Sequence, residues 1–144
     1  MLVIYVRVAF RNGAPEVHRR NRIFSHLSGS DGFDEENAAT QIHPSVAPLA
    51  TEIVVTKRRV SAFAGSDLDM ILRSSEVDEL VMCGISTSGV VLSTLRQAAD
   101  LDYHLIVLAD ACADRDPEVH RVLTEKVFPR QATVITTDEW ISSL

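Results

Sequence analysis

The sequence is poor in several features that would have pointed to a special class of protein. It holds two cysteines in 144 residues, Cys83 and Cys112. These are too few for a disulfide framework and lack metal-ligand spacing, which fits a reducing compartment and makes the cytoplasm the expected location. The apolar run at residues 2–8 (LVIYVRV) is too short to cross a membrane and has neither a basic flank nor a small-residue cleavage site. Positive charge is in deficit, with 14 Lys+Arg against 20 Asp+Glu and a net charge of -6. The bases are scattered, so neither nucleic acid nor an anionic membrane is an expected partner. No G-x-S-x-G elbow is present, and His18, His26, His43, His104 and His120 show no paired metal spacing. No metal and no cofactor is expected. Repeats, low-complexity tracts and an interdomain linker are also missing.

What is present is ordinary globular material. Hydrophobic residues make up 46% and charged residues 24%, which excludes disordered, collagen-like and coiled-coil chains. A chain of this length is expected to form one domain, over residues 1–144, burying about two-thirds of its unfolded surface. Five short runs read as strands: residues 2–8, 53–56 (IVVT), 79–83 (ELVMC), 104–108 (HLIVL) and 132–136 (ATVIT). Each is nearly continuous in apolar residues, the pattern of parallel strands covered on both faces.

Helical patterns lie between the strands. Ser66 can cap a helix with Leu68, Ile71 and Leu72 on its apolar face, with Asp69 closing a capping box. Residues 88–100 carry Val91, Leu95 and Ala98 on one face. Asp116, Pro117 and Glu118 make a strong start for a helix with a stripe of Val119, Val122, Leu123 and Val127. Residues 138–144 read as a short terminal helix anchored by Trp140. Strands alternating with helices predict a doubly wound α/β fold. Residues 11–49 hold three of the five prolines and predict a long irregular crossover, with one weak helix around residues 17–27.

Ligands of such folds bind beyond the carboxyl ends of the strands. There, residues 84–90 (GISTSGV) form a turn whose free N–H groups could hold an anion or oxyanion, although an ordinary Ser or Thr cap explains the composition equally well. Lys57, one of two lysines, closes a strand. Burial would depress its pKa and suit it to proton transfer, whereas a solvated strand-end lysine is the plainer reading. Arg58 and Arg59 either bind a carboxylate or are surface residues. Asp114, Asp116, Glu118 and His120 resemble hard-metal ligands as a string, but a helix starting at Pro117 would send them apart. The cysteines read as small buried hydrophobes.

Taken in order, Val55-Thr56-Lys57-Arg58-Arg59-Val60-Ser61-Ala62-Phe63, then Gly84-Ile85-Ser86-Thr87-Ser88-Gly89-Val90-Val91-Leu92-Ser93-Thr94, then Asp110-Ala111, resemble the isochorismatase-like, or cysteine hydrolase, superfamily. Nicotinamidases belong to it. The likeness runs over roughly residues 2–140. It implies a three-layer α/β/α sandwich around a mainly parallel, doubly wound sheet, and a homo-oligomer that binds a small-molecule substrate or ligand. In that superfamily the peptide matching Ile85 to Ser86 is often cis, which would aim the turn's N–H groups inward.

The amidases of that superfamily use an Asp ending the first strand, a Lys in K-x-x-x-S-A-F, and a nucleophilic Cys in G-I-x-T-x-x-C-V. Lys57 matches the Lys. The Cys position is Val90, which cannot form an acyl intermediate. The family's second strand resembles residues 2–8, so the resemblance implies that the strand bearing the Asp is absent. The chain would then be N-terminally truncated, or its strands would close up, or a partner would fill the gap. True isochorismatases hydrolyse a vinyl ether without the Cys, using the Asp as general acid, and that group would be lacking too. The expected function is hydrolysis of a small carboxylated or amide-bearing metabolite by a remnant or altered site. Lys57 would be catalytic, with Phe63, Ser86, Thr87, Ser88, Gly89 and Arg58 binding substrate. The alternative is a catalytically inactive small-molecule-binding or assembly protein on the same fold.

Overall fold

A computed structural model describes residues 1–26 and 32–144. The chain divides into two compact units, residues 1–59 with 64–67, and residues 60–63 with 68–144.

In the first unit, β1 (Ile4–Val8) and β2 (Ile53–Lys57) pair in parallel, with Ile4 opposite Ile53 and Val8 opposite Lys57. β-Branched residues at seven of these ten positions suit a pleated ladder. Among its described residues, the long crossover between the strands is irregular, as expected, with two short 3₁₀ turns, Ala38–Thr40 and Pro44–Val46, and an isolated bridge between Phe10 and Asp34. The weak helix is not there: residues 17–26 form turns, and residue 27 lies outside the described residues. Side chains have taken the backbone donors that a helix needs. His18 Nδ1 accepts from Arg20 N (3.0 Å), and Asn21 Oδ1 from Ile23 N (3.2 Å) and Phe24 N (2.9 Å). These turns deliver Phe24 edge-on to Phe10, ring centroids 5.4 Å apart, and both rings are buried.

In the second unit, β3 (Glu79–Ile85), β4 (His104–Ala113) and β5 (Thr133–Ile135) form a parallel sheet in that order. Its helices are α1 (Leu68–Ser74), α2 (Leu92–Asp100), α3 (Pro117–Val122) and α4 (Thr137–Ser142). Leu68, Leu72, Val91, Leu95, Ala98, Leu105, Val107, Leu123 and Phe128 are buried and form this core; of the stripe expected over residues 119–127 only Leu123 is buried, Val122 and Val127 are half-buried, and Val119 is 37% exposed. α2 is entered through a π-helical turn, Thr87–Val91, and α3 runs on into another, Leu123–Val127. α4 starts in a complete capping box between Thr136 and Glu139, and Trp140 is half-buried. Asp69 pairs with Arg73 at 2.9 Å, four residues on.

Coverage on both faces holds for β4, whose Leu105, Val107 and Leu108 are buried, but not for β3. No β3 residue is fully buried, and Ile85 is 78% exposed. β3 is the end strand in the order of this three-stranded sheet. None of the described helices is long and apolar enough to cross a membrane.

Candidate functional site

β2 carries Lys57 inward at its last position, where the side chain is 6% exposed. Its Nζ donates to Arg59 O at 2.7 Å and meets no carboxylate among the described residues. Burial lowers the amine's pKa from 10.5 to about 8. Lys57 is therefore the buried member of the two readings its sequence left open, a cation held near its neutral form.

Arg58 turns the other way. Its guanidinium lies on Glu16 at 3.2 Å, on Glu35 and on Ala9 O. Arg59 donates to Glu16 O at 2.7 Å. Burial pushes the Glu16 carboxyl up, but bonds from its own and Arg11's N–H, with the charges of Arg58 and Arg11, outweigh this and hold it below its ordinary value. Gly65 makes room for Arg58. A Cβ there would stand 3.0 Å from that of Arg58, and the residue's φ of +73° favours glycine. Next to β1, Arg11, Asn12 and Asp34 to Asn37 line a hollow of about 400 Å³.

In the second unit, the turn after β3 begins with a cis peptide between Ile85 and Ser86. Ser86 O accepts from Gly89 N (3.1 Å) and Val91 N (3.2 Å), and its side chain makes no capping bond. Ser88 N donates to Asp114 Oδ2 at 2.6 Å, which lowers the pKa of that carboxyl. A carboxylate 26 residues away thus holds the turn's exposed amide, the role that the sequence left open to a ligand or to a local cap. Thr87 is fully buried, with its hydroxyl 2.8 Å from His120 Nδ1. A side chain at Gly89 would require Ser86 Oγ, 2.5 Å from the position of its Cβ, to turn away. Val90 is half-buried. Phe63 is buried, with its ring 6.2 Å from that of Tyr103, and the segment before it is fastened by Ala62 N to Thr94 Oγ1 (2.9 Å) and Ser61 Oγ to Gln97 (2.7 Å).

The acidic string after β4 disperses as the helix start predicts. Asp114 goes to Ser88, and Asp116 caps α3 by accepting from Glu118 N (2.9 Å) and Val119 N. Glu118 pairs with Arg121 and His120 meets Thr87. Among the described residues no three His, Cys, Asp or Glu side chains gather as metal ligands. Asp110 accepts from Thr137 N (2.8 Å) and Thr137 Oγ1 (2.6 Å), bonds that lower its pKa and fasten the start of α4.

The cysteines divide. Cys112 is buried, and desolvation pushes its thiol up to about 11. Cys83 is exposed, contrary to expectation, because the β3–β4 ladder shifts register between Met82 and Gly84 and leaves it unpaired on an edge strand. Its thiol is raised too, by partial burial. Neither is a thiolate at neutral pH, so neither supplies the nucleophile that Val90 lacks. Sequence reasoning missed Asp114's hold on Ser88, the Thr87–His120 contact and the work of Gly65. Asp114, the first residue after β4, and Thr87 in the turn were visible, but nothing in their spacing paired them with partners.

Parallel strands joined through helices place the chain among α/β proteins of the isochorismatase-like fold. The chain belongs to the isochorismatase family: residues 1–139 match the Isochorismatase domain. It is 32% identical over 142 residues to the uncharacterized isochorismatase family protein YwoC of Bacillus subtilis, covering 99% of this chain and 74% of that protein. It is also 32% identical over 136 residues to the ureidoacrylate amidohydrolase RutB of Pseudomonas syringae, covering 92% of this chain and 50% of RutB. The crystal structure of a cysteine hydrolase from Pseudomonas syringae pv. phaseolicola matches with a TM-score of 0.88 at 25% identity, over 98% of this chain and 70% of that one. The chain thus spans half to three-quarters of the length of these relatives.

Proposed function

We propose that the chain is a hydrolase acting on a small carboxylated or amide-bearing metabolite without a covalent intermediate. The observation that carries this reading is Lys57: a buried amine with no carboxylate partner among the described residues, whose pKa of about 8 suits it to give or take a proton near neutrality. Val90 and the two raised thiols speak against acyl-enzyme chemistry, so water would be the attacking group and Lys57 the proton-transfer residue. In the second unit, Ser86, Thr87, Ser88, Gly89 and Phe63 would shape the substrate's surroundings. Thr87 would do so through His120, and Ser88 with Asp114 already on its amide. Arg58, spanning Glu16 and Glu35, would hold the end of β2 and present what remains of its charge to a substrate carboxylate. The amide-hydrolysing relative makes ureido and carbamoyl compounds the first substrates to try. The reaction would run in the cytoplasm, in a homo-oligomer.

The test is turnover of nicotinamide, isochorismate and simple carbamoyl compounds by the wild type and Lys57→Ala. Loss of turnover in the variant supports the assignment, and equal turnover removes Lys57 from the chemistry. Val90 favours a second reading, a binding or assembly protein that keeps the fold. Ligand-dependent increases in melting temperature with no turnover would select it.

A further inference from the structure

The second unit contains a positively charged hollow that plays no part in the reading above. Arg96 of α2 and Arg130, at the end of the 3₁₀ turn Phe128–Arg130, line a depression of about 350 Å³ together with Val127 and Gln131. Both arginines and Gln131 are exposed, and Val127 is half-buried. Neither guanidinium has an ion-pair or hydrogen-bond partner among the described residues, which holds also for Arg19, Arg22 and Arg115, but only Arg96 and Arg130 share a hollow; Arg7, Arg11, Arg20, Arg58, Arg59, Arg73 and Arg121 each have a partner.

The local sequence explains why these two stay unpaired. Asp100 lies four residues after Arg96, but a cation on the N-terminal side of the acid is the weaker orientation for a helical pair. The acid nearest before Arg130 is Glu125, and Arg121 holds it at 2.7 Å. Lys126, four residues before Arg130, adds a third positive charge to the same continuous stretch of chain. Two uncompensated guanidiniums on one hollow, in a protein of net charge -6, concentrate anions against the field of the whole molecule.

We propose that this hollow binds a phosphate group, free or on a small metabolite. Two planar forks present more N–H donors than the two oxygens of a single carboxylate can accept, and two positive charges call for a dianion. The Gln131 side-chain amide adds a further donor to the lining, and the half-buried Val127 adds an apolar surface against which the body of a phosphate ester can rest.

Titration of ¹⁵N-labelled protein with inorganic phosphate at constant ionic strength tests this directly. Saturating shifts confined to the amides around Arg96, Arg130 and Gln131 are expected. Arg96→Gln and Arg130→Gln should each weaken binding about tenfold, the scale of losing one charged hydrogen-bonding partner. Both side chains are exposed, so circular dichroism melts should stay as in the wild type. Shifts that never saturate, or equal affinity in both variants, overturn the site. Acetate binding as tightly as phosphate overturns the assignment to phosphate. None of these outcomes bears on Lys57, which is read by turnover.

Discussion

Thr87 Oγ1 and His120 Nδ1 stand 2.8 Å apart and tie the turn after β3 to α3. Thr87 is fully buried, so in the folded protein its hydroxyl is shielded from solvent. His120→Ala should therefore cost about 1–3 kcal/mol, the penalty for a stranded buried hydroxyl. Thr87→Val keeps the branched shape and removes the hydroxyl. Once it is made, the added cost of His120→Ala should fall, giving a coupling of at least about 0.5 kcal/mol in a urea double-mutant cycle. Strictly additive losses would show that the contact carries no energy.

Asp116 ends two orphan donors of α3 at once, Glu118 N and Val119 N. Asp116→Ala should destabilise by about 1 kcal/mol, and Asp116→Asn, which keeps an acceptor, by only a fraction of that. Denaturant midpoints of the three proteins give the ranking. Equal losses in both variants would mean that charge at the helix start, rather than the hydrogen bonds, is what the cap contributes.

The parts of this structure legible in the sequence are those written in local pattern. All five strand runs were found because their apolar residues are contiguous, and α3 because Asp116-Pro117 marks a start by its own geometry. The residues 17–27 pattern misled because His18 and Asn21, polar residues able to bond nearby backbone, outcompete a short helix. In the candidate site, Lys57 was visible as a residue but its burial was not, since burial depends on what packs around it. Ser88 and Asp114 are 26 residues apart and Thr87 and His120 are 33 apart. Contacts of that range are set by the sheet's register, which no periodicity encodes.

Arg58 joins Glu16 and Glu35, and it and Glu16 are both about 15% exposed in their side chains. One oxygen of Glu16, Oε2, is buried without a hydrogen-bond partner among the described residues, so the carboxylate depends on the charges that remain. Arg58→Ala should cost about 2 kcal/mol, at the low end for a broken pair that still lies near solvent. Glu16→Gln should restore part of the loss, because a neutral amide no longer needs a counter-charge. Thermal melts of the single and double variants test this, and a double variant no better than Arg58→Ala would refute the charge argument.

Lys57 makes the sharpest prediction, because its sign is fixed by linkage. Its folded pKa of about 8 lies below the usual 10.5, so the unfolded chain binds the proton more tightly. Below pH 8 both states are protonated and the folded state bears the full cost of a buried ammonium, about 3 kcal/mol by the size of the shift. Between pH 8 and 10.5 that cost disappears, and above 10.5 both states are neutral. Stability should therefore rise with pH across this window in the wild type. Lys57→Met, which keeps the length and removes the charge, should lack that rise. At pH 7 it should be the more stable protein, less about 1 kcal/mol for the lost bond to Arg59 O. The measurement is urea unfolding of both proteins from pH 7 to 10.5. A stability difference that stays constant over the range would mean that Lys57 titrates as an ordinary solvated lysine, and would remove the physical basis for giving it the proton in catalysis.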